Sequence, residues 1–227
     1  MDDKYYKKYI KYKLKYLELK NNKIINIKKK LKRGIFNNSE DKLDDLIFTK
    51  ESIYSVSKEK GSKFLLEVIR KYFKETKNLI LTDGTANIGS DSINLSKHFN
   101  KINSIELSEI NYKALKNNIQ VFGIDNIDLY NDDTNKIISS INQDIIYIDA
   151  PWGGYNYKNK TQLDLYLGKI NISNFYLNNK EHAKLFIFKV PYNYNLKLLQ
   201  KIAKVDIYEF TKNDKVVYLI LVIDNRN

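Results

Sequence analysis

The sequence predicts an α/β protein built on a mostly parallel sheet that ends in an antiparallel hairpin. Apolar runs of strand length alternate with segments of helical periodicity over most of the 227 residues. This alternation is typical of a parallel sheet covered by helices on both faces. The last two apolar runs, Val205–Phe210 and Val216–Ile223, flank a polar turn at Asn213-Asp214, which predicts a hairpin. Counted together, the runs predict a seven-stranded sheet.

Each element of this prediction follows from its local pattern. A helix opening at Ser57 is predicted because apolar residues recur three and four positions apart from Phe64 to Phe73. The runs that follow have the length of buried strands or the periodicity of helices. The predicted strands are Leu79–Thr82, Ile102–Leu107, Ile127–Tyr130, Ile145–Asp149 and Leu185–Val190, and the predicted helices are Ser90–Phe99, Glu109–Val121 and Ile172–Leu177.

The N-terminal part of the chain has a different character. Tyrosines from Tyr5 to Tyr16 recur at spacings of three and four among lysines, which predicts a basic amphipathic helix over residues 4 to 33. Such a helix either packs on the domain through its tyrosines or grips RNA as an arm. A short helix near Lys42–Phe48 follows. We therefore expect a basic helical N-terminal extension over residues 1–50 and a catalytic domain over residues 51–227.

The composition favours a polyanionic partner and excludes cysteine chemistry. The net charge is +12, from 39 Lys and Arg against 27 Asp and Glu, and a basic protein gains affinity for nucleic acid by releasing its counterions. The chain has no cysteine and only two histidines, so we expect no disulfide and no metal site. No run has the length and apolar character of a transmembrane helix. We expect a soluble cytoplasmic monomer without membrane contact.

The segment Asp83–Gly89 follows the first predicted strand and opens a helix. In a doubly wound sheet, ligands bind beyond the carboxyl ends of the strands, and glycines let the backbone approach them. No Gly-Lys-Ser/Thr follows, and the carboxylate of Asp83 would repel a phosphate, so this is no phosphate loop. An acid here suits the ammonium group of a methionine moiety.

Further acids end the next two strands. Glu106 lies 23 residues after Asp83, at a place where a carboxylate can accept both hydroxyls of a ribose. The third strand ends in Asp132-Asp133, where an adenine edge can bind. A lone acid at any of these positions is more often a helix cap, but acids at the ends of three successive strands together predict an adenosyl pocket.

The segment Asp149–Gly154 reads Asp-Ala-Pro-Trp-Gly-Gly and follows a buried strand. An ionised carboxylate only accepts hydrogen bonds, so Asp149 and the carbonyl of Ala150 suit the two hydrogens of an exocyclic amine. Catalysis would then be mostly proximity and orientation. Trp152, the only tryptophan, is the best side chain to stack on a cationic flat ring such as 7-methylguanine. The segment predicts a methyltransferase that acts on an amine.

These motifs resemble those of the trimethylguanosine synthase family, the cap-specific guanine-N2 methyltransferases, over roughly Asp44 to Asp224. The resemblance rests on four segments. Tyr54–Glu59 resembles Phe-Ser-Val-Thr-Pro-Glu, Asp83–Ser90 resembles the cofactor loop Asp-x-Phe-x-Gly-x-Gly-Gly, Asp149–Gly154 resembles Ser/Asp-Pro-Pro-Trp-Gly-Gly, and Phe188–Asn193 resembles Phe-Leu-Pro-Arg-Asn.

The resemblance implies a Rossmann-like class I methyltransferase that uses S-adenosylmethionine and methylates the N2 amine of 7-methylguanosine on capped RNA. It also implies a role for each matching position. The implied catalytic residues are Asp149, Ala150, Pro151 and Trp152; the cofactor-binding residues are Ser55, Val56, Asp83, Gly84, Thr85, Gly89, Glu106, Leu107, Asp132 and Asp133; the substrate-binding residues are Trp152, Asp149, Asp91, Tyr192, Asn193 and Lys50.

The chain departs from the family pattern at several positions. Asn87 replaces a glycine, although asparagine tolerates a positive φ. Ala150 replaces a proline, which keeps the carbonyl and loosens the turn. Tyr192 replaces an arginine that grips the cap phosphates in the family, and Ile47 lies where a phosphate-binding lysine is expected. Phosphate binding then falls to Lys50, Lys58 or Lys189.

Two other functions fit the same motifs. An adenine-N6 or other amino-methyltransferase acting on DNA or RNA shares the acid-Pro-aromatic logic of Asp149–Gly154. A non-catalytic methyltransferase-like subunit could bind RNA through the basic helix. The leader, rich in lysine and tyrosine, resembles leaders from large AT-rich DNA viruses, which would place the reaction in the host cytoplasm.

Overall fold

The computed structural model of the chain describes residues 24–25, 27–36 and 40–226. The tyrosine-rich stretch of the predicted N-terminal helix, from Tyr5 to Tyr16, lies outside these residues. The described elements are the strands β1 (Ile24–Ile25), β2 (Phe48–Thr49), β3 (Ile80–Asp83), β4 (Lys101–Ile105), β5 (Ile127–Tyr130), β6 (Ile145–Ile148), β7 (Tyr166–Leu167), β8 (Ile170–Asn171), β9 (Leu185–Pro191), β10 (Asp206–Lys212) and β11 (Lys215–Asp224), and the helices α1 (Lys29–Ile35), α2 (Ser52–Ser55), α3 (Glu59–Tyr72), α4 (Ser90–Leu95), α5 (Glu109–Phe122), α6 (Thr134–Ile137), α7 (Ile172–Asn179) and α8 (Lys197–Ile202).

The predicted seven-stranded sheet is confirmed. Its strand order is β10-β11-β9-β6-β3-β4-β5. The pairs β6–β9, β3–β6, β3–β4 and β4–β5 are parallel, whereas β11 runs antiparallel to both β9 and β10. The chain runs outward from β3 to β5 and then returns to β6. The strand order therefore reverses between β3 and β6, which is where open α/β sheets bind their ligands.

Helices cover both faces of the sheet, and the strands alternate between two hydrophobic clusters. In β6, Ile145 and Tyr147 face the cluster under α3, α4 and α5, while Ile146 and Ile148 face the cluster under α7 and α8. All four residues are buried. This period of two, on an almost wholly apolar strand, is what a sheet covered on both faces requires.

Residues 27–36 and 40–49 pack against this domain. Phe36 and Phe48 are fully buried in the cluster under α3, α4 and α5, and Phe36 lies 5.3 Å from the ring centroid of Phe122 in α5. The Nζ of Lys32 donates to the carbonyl of Leu43 at 2.7 Å. These contacts make the segment part of the hydrophobic core.

Two local predictions for this segment were wrong. The predicted helix over residues 4 to 33 is interrupted, because Ile24 and Ile25 form a strand paired with Thr49 and Phe48. The predicted short helix at Lys42–Phe48 is instead a 3₁₀ helix at Glu40–Asp45 followed by β2. Tertiary pairing of β-branched isoleucines overrides local helical periodicity here. None of the helices in the described part of the chain is both long and apolar enough to cross a bilayer.

The replacement Phe36→Ala tests whether the N-terminal segment stabilises the catalytic domain. It removes a fully buried ring, so the free energy of unfolding should fall by about 3–5 kcal/mol. Urea denaturation followed by circular dichroism measures this loss. Leu198→Ala, at a side chain that is 45% exposed, is the control and should change stability by about 0.5 kcal/mol or less. Equal stabilities for Phe36→Ala and the wild type would contradict the packing described.

Candidate active site

The predicted site segments meet at the edge of the sheet where the strand order reverses. The loop after β3 carries Asp83–Gly89, and the loop after β6 carries Asp149–Gly154. The two strands are paired, and the Gly84 amide donates to the Tyr147 carbonyl at 2.9 Å. The amide of Asp149 also donates to the Thr85 hydroxyl oxygen at 2.8 Å. The two loops are thus joined within three residues of the sheet.

The loop after β3 has the backbone that its sequence predicts. Asn87 adopts a φ of +51°, a left-handed conformation that asparagine tolerates. Gly89 has a φ of +89°, and a Cβ there would lie 2.6 Å from Cδ1 of Leu115. Helix α4 begins directly afterwards at Ser90. The two residues let the chain turn from the sheet into the helix.

Asp83 lies beneath this loop. Its side chain accepts hydrogen bonds from the Ser92 hydroxyl at 2.7 Å and from the Thr85 amide at 3.3 Å, and the residue is 2% exposed. Burial, reinforced by the nearby Asp91 carboxylate, raises the pKa of Asp83 to about 7. Asp83 therefore holds the loop through these hydrogen bonds and places a buried carboxyl group beneath it.

Glu106 follows the end of β4 and accepts two backbone hydrogen bonds, from Asn87 at 2.8 Å and from Ser108 at 2.7 Å. Burial raises its pKa, and the two N–H groups oppose that effect. The side chain of Leu107 beside it is 67% exposed, and Ser55 accepts from the Asn87 side chain at 2.7 Å. A carboxylate next to an exposed apolar side chain suits a ribose bonded to a flat base.

The two acids after β5 have different surroundings. Asp133 caps helix α6, since its carboxylate accepts from the Asn135 amide at 3.0 Å. Asp132 is exposed and accepts from the Asp133 amide at 2.7 Å. Asp132 thus has its side chain at the surface, while Asp133 orders the turn.

Asp149 forms a buried ion pair with Lys189 of β9. The Lys189 Nζ lies 2.6 Å from Oδ2 of Asp149, and the two side chains are 10% and 16% exposed. Burial raises the pKa of Asp149 while Lys189 opposes the rise. Burial lowers the pKa of Lys189, but Asp149 and Asp91 outweigh it and hold that pKa above its usual value.

A polar chain continues from this pair into the domain. Lys189 donates to the Ser57 hydroxyl at 2.9 Å, and Ser57 donates to Asp91 at 2.5 Å. Asp91 also accepts from Ser62 at 2.6 Å and from Tyr147 at 3.2 Å. With a residue exposure of 7%, Asp91 lies under the predicted substrate position and supports it through other side chains.

Trp152 lies beside the ion pair and is half-buried. The Lys189 Nζ is 5.8 Å from its ring centroid, and the Tyr157 ring packs on it edge to face at 5.2 Å. The buried indole N–H makes no hydrogen bond of standard geometry, yet it lies close enough to favour the Asp149 carboxylate. Gly153 and Gly154 both have positive φ, which turns the chain sharply after the indole.

Three residues predicted to bind substrate have different accessibilities. Tyr192 is 48% exposed at the end of β9, and Lys50 is exposed in the turn after β2. The side-chain amide of Asn193 instead donates to the carbonyls of Tyr157 and Lys160, at 2.9 and 2.7 Å. Asn193 therefore fixes the loop that carries Trp152.

The sequence reasoning missed the pairing role of Lys189. Lys189 is one of three lysines predicted as alternatives for phosphate binding, whereas in the structure its ammonium is buried and bonds Asp149 and Ser57. A signal for this was present, because Lys189 interrupts the otherwise apolar run Leu185–Pro191, every residue of which is buried. A charge within a buried strand needs a partner. The position of that partner, 40 residues away, has no local signature.

The fold and the arrangement of the site define a class I methyltransferase that depends on S-adenosylmethionine. The chain belongs to a family described as RNA cap guanine-N2 methyltransferase, which matches residues 77–226. S-adenosylmethionine is thus the cofactor. Glu106, the exposed Leu107 and the positive-φ turn at Gly89 fit this molecule, since they offer acceptors, an apolar surface and a close approach of the backbone.

The chain is also similar to part of a viral protein. An uncharacterised protein of Acanthamoeba polyphaga mimivirus is 37% identical over 124 residues, which are 52% of this chain and 48% of that protein. This chain is therefore similar to about half the length of a protein from a large DNA virus, which supports the viral origin predicted from the leader.

Solved structures agree in fold. A putative methyltransferase from Porphyromonas gingivalis superposes with a TM-score of 0.57 at 13% identity, over 78% of this chain and 43% of that one. The 16S rRNA guanine-N2 methyltransferase of T. thermophilus, solved with AdoMet and guanosine, superposes with a TM-score of 0.57 at 13% identity. The match covers 73% of this chain and 43% of that one.

The replacement Gly89→Ala should disturb the cofactor loop. Its Cβ would lie 2.6 Å from Leu115 in a backbone of positive φ, so both stability and affinity for S-adenosylmethionine should fall, the affinity by about tenfold or more. Gly123→Ala is a matched control, because Gly123 also has a positive φ but no atom within 4 Å of the added Cβ. It should lose about 1 kcal/mol of stability and keep its affinity, as measured by calorimetry. Equal affinities for the two variants would contradict the role of the loop.

The buried carboxyl of Asp83 should make stability depend on pH. Its pKa is about 7 in the folded protein against 3.8 for the unperturbed group, so the folded state binds the proton more tightly. Its contribution to stability is complete below about pH 4 and is lost as the pH rises to 7. Asp83→Asn should therefore reduce the dependence of the unfolding free energy on pH by up to about 1.4 kcal/mol per pH unit in that range. Urea denaturation at several pH values tests this, with the exposed Asp125→Asn as a control that keeps the wild-type slope.

Proposed function

We propose that the protein transfers a methyl group from S-adenosylmethionine to the N2 amine of 7-methylguanosine on capped RNA. The observation that carries this proposal is the juxtaposition of Asp149, the Ala150 carbonyl and Trp152 at the reversal point of the sheet. An acceptor pair and an indole in adjacent positions suit an exocyclic amine on a flat ring. Membership of the cap guanine-N2 family supports the same substrate.

The cofactor would lie across the loop after β3, with Glu106 bonded to its ribose and Leu107 against its adenine. Asp132 and the turn capped by Asp133 would border the adenine. Ser55 and Val56 would line the cofactor pocket on the side of helix α2. When bound, the cofactor supplies the methyl group. The protein contributes mainly position, because Gly89 and Asn87 fix the backbone on which the cofactor lies.

The amine would be held by two acceptors. Asp149 accepts one amine hydrogen, and the Ala150 carbonyl accepts the other, which turns the nitrogen lone pair toward the methyl group. Ala150 is 2% exposed, and none of the backbone hydrogen bonds given for the described residues uses its carbonyl. After transfer the amine nitrogen is positively charged and loses its proton readily to water or to Asp149.

The charge of the site favours a cationic base. Burial and the Asp91 carboxylate raise the pKa of both Asp83 and Asp149, and among the described residues one buried lysine, Lys189, lies beside these acids. An excess of carboxylates stabilises positive charge nearby. 7-Methylguanine carries that charge, whereas guanine does not, and Trp152 offers a ring face for it.

The rest of the cap would lie on the surface beyond Trp152. Tyr192 is exposed there, and Lys50 and Lys58 are the exposed lysines that we assign to the cap phosphates. We further propose that residues 1–50 form a basic extension that adds affinity for the RNA body. The enzyme would act as a cytoplasmic monomer, in host cytoplasm if it is viral.

Product analysis with a 7-methylguanosine cap dinucleotide and labelled S-adenosylmethionine tests the proposal. Trp152→Ala should lower kcat/KM by about 30-fold, which corresponds to loss of about 2 kcal/mol of cation–π stabilisation. Asp149→Ala should lower it by about 100-fold, because a charged acceptor is lost. Tyr208→Phe, on the edge strand β10, is the control and should keep the wild-type rate.

The unmethylated cap dinucleotide separates this proposal from its alternatives. Equal transfer to both dinucleotides would refute selection of the cation. Transfer to adenine in unmodified DNA or RNA would favour the adenine-N6 activity. Binding of RNA without any binding of S-adenosylmethionine would favour the non-catalytic subunit.

A further inference from the structure

Lys189 has the surroundings of a residue that acts on Asp149. Its ammonium is buried, lies 2.6 Å from Oδ2 of Asp149 and donates to Ser57 at 2.9 Å. Its β-strand is central in the sheet, since β9 pairs with β6 on one side and β11 on the other. The rings of Trp152 and Tyr218 lie 5.8 and 5.2 Å from the same ammonium. Lys189 is therefore fixed from several directions.

We propose that Lys189 is a positioning residue that keeps Asp149 ionised and leaves its second oxygen to accept the substrate amine. This inference rests on the proposed function. Lys189 donates to Oδ2 of Asp149 at 2.6 Å, and the indole N–H of Trp152 lies close enough to favour the ionised carboxylate. Because the lysine engages Oδ2, Oδ1 is the oxygen that we assign to the amine.

The neighbouring charges explain why Asp149 needs a cation. The groups that act on it are Lys189, the carboxylates of Asp91 and Asp83, the indole N–H of Trp152, and the hydroxyls of Tyr147 and Tyr218. Without Lys189, burial and two carboxylates would all favour protonation of Asp149. A protonated carboxyl group is a donor at the atom where the amine needs an acceptor.

Ser57 links this pair to the rest of the network. It accepts from Lys189 and donates to Asp91, so Asp91 shares the charge of the lysine through one hydroxyl. Ser57 thus gives the ammonium a second hydrogen-bond partner besides Asp149. The ammonium therefore stays in place while the amine binds to Asp149.

The test is the pH dependence of kcat/KM for the cap dinucleotide. Activity needs ionised Asp149 and is lost as the pH falls through its pKa. In Lys189→Met the pKa of Asp149 rises, so the acid limb of the kcat/KM profile should move up by at least about one pH unit. Below that limb kcat/KM should be at least about tenfold lower than in the wild type, and the difference should shrink at higher pH. Lys189→Arg keeps the charge, so its acid limb should stay near the wild-type position.

Binding of S-adenosylmethionine by calorimetry shows which variants are folded. If Lys189→Met binds the cofactor and loses activity equally at every pH, the proposal is overturned in favour of a purely structural role. If Lys189→Met does not fold, Asp149→Asn is compared with Asp149→Asn/Lys189→Met, in which both charges are gone. Rates within about threefold of each other support action through Asp149, and a further loss of tenfold or more overturns it.

Failure of the proposed function has a different outcome. In that case the wild type transfers no methyl group to the cap dinucleotide, although it binds S-adenosylmethionine. Failure of the inference about Lys189 leaves the wild type active and the acid limb of Lys189→Met unmoved.

Discussion

The parallel pairing of β3 with β6 is the constraint on which the site depends. Because the strand order reverses there, the loop for the cofactor and the loop for the amine leave the sheet side by side. Gly84 lies at the junction, where a Cβ would approach Ile148 to 2.5 Å. The Thr85 hydroxyl then binds the Asp149 amide. A shift of one loop must therefore move the other, which keeps the methyl donor and the acceptor in register.

The same edge concentrates charges that are costly to bury. A buried ion pair offsets its desolvation only when its remaining hydrogen-bonding capacity is satisfied. Lys189 meets that condition through Asp149, Ser57 and two aromatic rings, and Asp91 meets it through two serines and Tyr147. Asp83 has fewer donors and responds with a raised pKa. The network thus fixes the geometry of the site at some expense of stability near neutral pH.

Much of this could be predicted from local patterns. The strands carry continuous apolar runs, which predict the fold. Acids follow the carboxyl ends of these strands, which predicts the positions of Asp83, Glu106 and Asp149. Features that depend on distant partners were not. Ser57 and Lys189 are 132 residues apart, and the pairing of Ile24 with Thr49 competes with a local helical pattern. Whether an individual acid contacts cofactor or supports a loop depends on burial, which spacing does not specify.

The charge balance links binding to folding. Three carboxylates facing one lysine leave the free site with excess negative charge, and protonation of Asp83 near pH 7 partly relieves it. Any cation that binds beside these groups relieves it further, and a ligand that binds the folded state alone stabilises that state. A neutral base of the same shape brings no such relief. In the proposed reaction, electrostatics and shape would therefore select the substrate together, with Trp152 stacking on the ring and the buried carboxylates favouring its positive charge.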